Sequence, residues 1–159
     1  SRVAIVDFDV HHGNGTQDLV WNDERIFFAS THQMPLYPGS GLGTETGAHG
    51  NVFNIPLAPE SDGADLDRAL DRILRALENF EPEMLFISAG FDAHARDPLA
   101  NVNWVGEDFA RATARLCDFA DARCGGRVVS TLEGGYDLEG LAEGVLAHVG
   151  ELMKRGNTA

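Results

Sequence analysis

Val3-Ala4-Ile5-Val6-Asp7-Phe8-Asp9-Val10-His11-His12-Gly13-Asn14-Gly15-Thr16 is the stretch on which the reading of the whole chain turns. Four apolar residues run into alternating acidic and apolar positions, and Gly13 and Gly15 then turn the chain. A short apolar run bounded by turn residues fits a buried strand of a parallel sheet, with its polar tail at the carboxyl end. Open α/β sheets hold their ligands outside the carboxyl ends of the strands. Side chains of an extended segment alternate, so Asp7, Asp9 and His11 face the same way. Carboxylate oxygen and neutral imidazole nitrogen are good partners for zinc or a similar divalent ion. The same residues can equally cap a turn, with His11 a structural histidine, so the decision rests on what else reaches that edge.

Outward from this strand the chain alternates strands and helices. A short helix is expected through Gln17 to Trp21. Ile26 to Ser30 reads as a second strand, with Ser30, Thr31 and His32 at its carboxyl end. Residues 33–50 hold Pro35, Pro38 and five glycines and form a long loop of the kind that is often functional. Asn51 to Ile55 is a short strand closed by Pro56. From Ser61 to Phe80, Leu66, Leu70, Ile73, Leu74 and Leu77 make one apolar stripe at helical spacing, with Ser61 or Asp62 as the cap. Met84 to Ser88 is a fully apolar strand that leads into Ala89-Gly90-Phe91-Asp92. A helix from about Gly106 to Asp121 turns Phe109, Leu116 and Ala120 inward. Arg127 to Leu132 is a strand ending in Glu133-Gly134-Gly135-Tyr136-Asp137, and a last helix from Leu138 to about Lys154 packs Leu141, Val145, Val149 and Leu152. This alternation predicts an α/β fold: a parallel β-sheet flanked by helices on both faces.

The 159 residues suffice for one domain with its own core, and 43% hydrophobic with 23% charged residues is ordinary for a globular protein. A formal charge of −13 disfavours binding to a nucleic-acid backbone and suits cationic substrates such as lysine-bearing tails or polyamines, or simply a well-solvated surface. No apolar run is long enough to span a bilayer. Cys117 and Cys124 form no CxxC pair and no leader is apparent, which points to free thiols in a reducing cytosol and a cytoplasmic protein. The chain opens directly on a strand, so an upstream segment is expected.

Asp7, Asp9 and His11, then Asp92, then Tyr136 each follow a separate apolar strand, with a glycine close by in every case. In a parallel sheet all three ends lie on one edge. Asp9, His11 and Asp92 would make three protein ligands with positions left for water and substrate, the arrangement of a catalytic zinc. Such an ion polarises a carbonyl and activates water, and Tyr136 could donate its hydroxyl to the developing oxyanion. Amide hydrolysis suits these parts. Taken singly, Asp92 could cap a helix and Tyr136 could pack on a turn. His12 points away from His11 and reads as structural; His49, His94 and His148 read as surface or second-layer groups.

The chain resembles the zinc-dependent histone deacetylase family, including its bacterial acetoin-utilisation and acetylpolyamine members. The matching stretches are residues 7–16 (Asp-Phe-Asp-Val-His-His-Gly-Asn-Gly-Thr), 88–92 (Ser-Ala-Gly-Phe-Asp) and 133–137 (Glu-Gly-Gly-Tyr-Asp). The resemblance implies an arginase/deacetylase-like three-layer fold, and one zinc ion on Asp9, His11 and Asp92. Tyr136 matches the tyrosine that hydrogen-bonds the scissile carbonyl. Asp7 matches a carboxylate that orients one catalytic histidine, and Asn14 stands where relatives carry Asp or Asn beside a second. Oxygens of Asp7, Asp9, His11, Ser30 and Thr31 match a structural potassium site, and carbonyls near Val20, Asp23, Ile26 and Asn51 a second. Tyr37 matches an aromatic wall of the acyl-lysine tunnel, with Gly134 and Gly135 flanking it. Leu99 falls where polyamine-specific relatives carry a glutamate, so acetyl-lysine ranks before acetylpolyamine as substrate.

The family carries a His-His pair upstream of its first such strand, as general base and partner. Here the adjacent pair is His11-His12. Residues 1–159 therefore resemble the carboxyl-terminal part of a single deacetylase catalytic domain, incomplete as it stands and expected to turn over poorly alone. Two rivals stand beside this reading. An arginase-type ureohydrolase would need two manganese ions and Asp-x-His-x-Asp, whereas the order here is Asp-x-Asp-x-His. A binding or assembly fragment would use exposed apolar surface and could form a homo-oligomer.

Overall fold

β1 (Val3–Asp7) lies at the centre of the sheet, with apolar Ala4 and Val6 fully buried on one face and Ile5 partly buried on the other. In the computed structural model, which describes residues 1–156, it is followed by α1 (Asn14–Val20), β2 (Ile26–Gln33), β3 (Val52–Leu57), α2 (Gly63–Phe80), β4 (Met84–Ala89), α3 (Gly106–Arg123), β5 (Val128–Leu132) and α4 (Leu138–Gly156). The five strands form one sheet in the order β3-β2-β1-β4-β5, every pair parallel. The chain winds outward from β1 through β2 to β3, then returns to the other side of β1 for β4 and β5. The switch point, where such sheets open a crevice, therefore lies between the carboxyl ends of β1 and β4.

One face of the sheet carries the main core. Ala4, Val6, Phe8, Phe27, Ala29, Leu85 and Ile87 pack against Leu66, Leu70, Ile73 and Leu77 of α2 and Phe109 and Leu116 of α3. Burying each of the four α2 aliphatics is worth roughly 1.5–3 kcal/mol. α2 starts where the sequence predicts: the Asp62 carboxylate accepts from Ala64 N and Asp65 N, and Asp65 answers by accepting from Asp62 N. The opposite face is covered by α1 and the 34–50 loop, with Val20, Phe28 and Val52 in a smaller cluster. Helices thus flank the sheet on both faces, unevenly.

Several boundaries move for physical reasons. β2 runs on to Gln33, so Ser30, Thr31 and His32 lie inside a buried strand; Ser30 Oγ and His32 Nδ1 satisfy each other at 2.9 Å. β3 continues through Pro56, which an edge strand tolerates because its outer side needs no N–H. In α4 the buried stripe passes through Gly144 and His148, while Val149 is exposed. Leu138, Leu146, Val149 and Met153 form an exposed apolar stripe, and Leu132 of the edge strand β5 is also exposed. Gly144 matters here, since a Cβ would stand 2.5 Å from the Phe91 ring. Among the described residues no helix is long and apolar enough to cross a membrane.

Candidate metal centre

β1 ends at Asp7 and the chain bends at Val10 and His11, yet the alternation persists: Phe8 and Val10 enter the core while Asp7, Asp9 and His11 line a cleft at the switch point. Short carboxylates bonding the backbone two residues on hold this geometry. Asp7 Oδ1 accepts from Asp9 N at 3.0 Å, and Asp9 Oδ1 accepts from His11 N at 2.8 Å. β4 delivers Asp92, whose Oδ1 accepts from Val10 N at 2.9 Å. β5 delivers Gly134, whose N–H donates to Asp9 Oδ2 at 2.8 Å. Parallel register makes this possible, with Asp7 beside Ser88 and Ala89 beside Leu132.

The three expected ligands come together. His11 Nδ1 lies 3.1 Å from Asp9 Oδ1 and 3.0 Å from Asp92 Oδ2, and one donor atom from each residue falls within 4.8 Å of the others. Ligands about 2.1 Å from a tetrahedral zinc sit roughly 3.4 Å apart, so the donor set fits such an ion. The electrostatics ask for a cation as well. Burial, then Asp9, push the Asp92 carboxyl up to about 7, against opposing help from Val10 N and His11. Burial, followed by Asp9, Glu133 and Asp92, raises Asp7 well above the usual carboxylate range. Three buried carboxyl groups, Asp7, Asp9 and Asp92, gathered this closely are stable together only with a proton or a cation among them.

Three glycines keep the centre open. A Cβ on Gly134 would meet Asp92 Oδ2 at 2.0 Å, one on Gly90 would meet Asp9 Oδ2 at 2.2 Å, and one on Gly13 would meet Asp7 Oδ2 at 2.4 Å. Gly135 serves differently, with a φ of 144° that side chains rarely adopt, and it does not line the cleft. That turn presents Tyr136, half exposed, with its ring 6.4 Å from the His11 ring; the Tyr37 ring stands 6.5 Å from His11 and is largely exposed. Burial and the carboxylates of Asp92, Asp9 and Asp97 raise the Tyr136 pKa, which keeps the phenol protonated. The cleft, about 760 Å³, is also lined by Leu99 and by Leu36, Leu132 and Glu133, which the sequence reading left out. All three follow or flank residues it did single out, and only their place on the cleft wall reveals them.

Other expectations fare differently. Asn14 is exposed on the first turn of α1, outside the cleft lining. Ser30 and Thr31 are buried in β2, Ser30 directly beside Asp7, and the Thr31 hydroxyl lacks a hydrogen-bond partner among the described residues. The carbonyls of Val20, Asp23 and Ile26 do converge, but on the Asn51 amide, whose Nδ2 donates at 2.9, 3.2 and 3.0 Å. Each of those carbonyl oxygens has a second lone pair beyond the bond to Asn51. His12 is structural, with Nδ1 at 2.8 Å from Ser40 Oγ and Nε2 at 2.9 Å from Gln17 Oε1. Of the two readings open for His94 and His148, surface or second layer, burial leaves the second. His148 lies between Thr113 Oγ1 and Ser130 Oγ, each 2.7 Å away, and burial lowers its pKa to about 4.

The fold and this centre define a class: open parallel α/β proteins that gather a carboxylate–imidazole cluster able to hold a metal ion at the sheet's switch point. Within that class, the chain belongs to the histone deacetylase family, because the model of the histone deacetylase domain matches residues 1–152. A probable deacetylase of Archaeoglobus fulgidus is 43% identical over 143 residues, covering 87% of this chain and 40% of that protein. The crystal structure of the HDA15 HD domain superposes with a TM-score of 0.90 at 33% identity, covering 99% of this chain and 46% of the other. An acetylpolyamine aminohydrolase from Burkholderia pseudomallei superposes with a TM-score of 0.85 at 31% identity, covering 95% and 44%. The chain spans half or less of the length of curated relatives that it matches. The parallel fold expected from the motifs is the fold these structures share.

Proposed function

We propose that this chain forms the metal-bearing part of a zinc-dependent amidohydrolase that removes acetyl or related acyl groups from lysine side chains. The observation that carries the proposal is the meeting of Asp9, His11 and Asp92 at hydrogen-bonding distance beneath Tyr136, in a cleft walled by Tyr37 and Leu99. Bound by these three residues, zinc would supply a Lewis acid for the acyl carbonyl and a lowered pKa for attacking water. The remaining work falls to side chains. The protonated Tyr136 phenol donates to the carbonyl oxygen as that oxygen gains charge. Tyr37 and Leu99 offer apolar walls to a four-carbon lysine stem, and Gly134 lets the chain pass beside the ligands without a side chain. Asp7 supports the site as an orienting carboxylate and, with Ser30 and Thr31, as a potassium position. His12 has both ring nitrogens engaged, by Ser40 Oγ and Gln17 Oε1, and is not assigned the base. The base is assigned to the upstream histidine pair that the family resemblance implies, with Asn14 near its carboxylate partners.

The acidic chain suits a cationic substrate, and Leu99 in place of a carboxylate favours acetyl-lysine over acetylspermidine. A cytoplasmic setting agrees with the two free, buried cysteines. The test is hydrolysis of an acetyl-lysine peptide and of acetylspermidine by the chain joined to its upstream sequence, each with and without chelator. Chelator-sensitive cleavage with the peptide preferred is expected. Cleavage that ignores chelator would overturn the metal role, and preference for acetylspermidine would overturn the substrate order.

A further inference from the structure

Tyr136 has only its surroundings to aim it. Its side chain is half exposed, and it follows two glycines, one of them in a conformation open to few other residues. Behind it lies Asp97, a buried carboxylate whose hydrogen bonds go to backbone amides. Oδ2 accepts from Tyr136 N at 2.7 Å and from Asp137 N at 3.3 Å, while Oδ1 accepts from Leu99 N at 2.9 Å. Asp97 is itself tied down, since its N–H donates to His94 O at 2.8 Å. The neighbouring cation does not compete for it: Arg96 turns away to Asp137 and Glu139. One anion thus clasps the tyrosine turn and the Leu99 loop, two segments 37 residues apart that wall the same cleft.

We propose that Asp97 is a positioning residue that holds the Tyr136 phenol over the Asp9–His11–Asp92 cluster and couples it to the Leu99 side of the cleft. The inference rests on the amidohydrolase reading. Charge-assisted bonds from a carboxylate to N–H groups are about twice as strong as neutral ones. An asparagine of the same shape has one oxygen for the two directions, so its NH₂ group must face either Leu99 N or the Tyr136–Asp137 pair, donor against donor. A misplacement near 1 Å can cost on the order of 100-fold in rate.

The experiment is a double-mutant cycle in the active full-length protein, with Asp97→Asn, Tyr136→Phe and the pair, read as kcat, KM and zinc content on an acetyl-lysine peptide. Asp97→Asn should lower kcat ten-fold or more while KM and zinc content stay within about two-fold. In the Tyr136→Phe background the same change should cost less than about two-fold, because the phenol it aims is gone. Multiplying costs would show a general structural role, and a single mutant within two-fold of wild type would show none; either overturns the inference. Asp97→Ser, which keeps one acceptor without charge, is made in parallel, and the coupling is read from whichever variant retains wild-type zinc. If wild type cleaves no acyl amide, the amidohydrolase reading fails; if wild type is active and Tyr136→Phe is slow, only the role of Asp97 is being judged.

Discussion

Gly134→Ala should empty the metal centre while leaving the fold in place. The backbone at Gly134 has no positive φ, so alanine is conformationally acceptable there and the whole effect is one of space. The new Cβ would stand 2.0 Å from Asp92 Oδ2 and 2.6 Å from Asp9 Oδ2, and ordinary contact begins near 3.4 Å. Asp92 Oδ2 must therefore retreat by about 1.4 Å, whereas metal–ligand distances tolerate only about 0.2 Å. Rotating Asp92 away also strains its bond to Val10 N, and moving Asp9 breaks the bond from Gly134 N. Disturbing groups that merely support a ligand costs roughly 10–100-fold in affinity, so displacing a ligand should cost at least about 100-fold. Gly15→Ala is the matched control, since a Cβ there meets nothing within 4 Å. Titration of the metal-free proteins with zinc against a chromophoric chelator gives the affinities, and thermal unfolding of the metal-free forms shows that both variants fold. A Gly134→Ala protein that binds zinc within about three-fold of the Gly15→Ala control would refute the reasoning.

Three further outcomes are expected. His148 binds a proton near pH 6.5 when unfolded but only near 4 when folded, so stability is present above 6.5 and declines as pH falls toward 4. The loss from this group at pH 5 is on the order of 2 kcal/mol, and His148→Asn should flatten the difference in unfolding free energy between pH 7 and pH 5 by that amount; an unchanged difference would dismiss the buried-histidine account. Asp92→Ala should abolish metal retention, and elemental analysis finding equal zinc in mutant and wild type would remove Asp92 from the ligand set. With Leu138, Leu146 and Met153 exposed beside the unpaired edge of β5, the chain on its own should self-associate. A monodisperse monomer in sedimentation would contradict that.

Much of the fold was readable because its signals are local. The α2 stripe from Leu66 to Leu77 and the Asp62 cap depend on residues within a few positions of one another, and they appear where expected. The errors arise where a distant partner overrides a local preference. β2 continues past polar Ser30 to Gln33 because β3 pairs with it there and Val10 O accepts from Gln33 N, and Pro56 stays in a strand because β3 is an edge. The sequence left His148 open as a surface or second-layer group, and only Thr113 and Ser130, from α3 and β5, decide for the buried place. Asp97 read only as part of a loop, because its partners are backbone amides, which leave no mark in the order of side chains.

The amino-acid order alone settles that Asp9, His11, Asp92 and Tyr136 stand at the carboxyl ends of parallel strands, since each follows an apolar run and a parallel sheet has one such edge. It leaves open which strands are neighbours. That is decided by the winding β3-β2-β1-β4-β5, which sets β4 directly beside β1 and β5 directly beside β4. Adjacent parallel strands are only about 4.8 Å apart, so this order brings the imidazole and both carboxylates within reach of a single ion. The same residues on strands at opposite ends of the sheet could not share one, because helix crossovers and hydrogen-bond register, not side-chain chemistry, determine the distance between them.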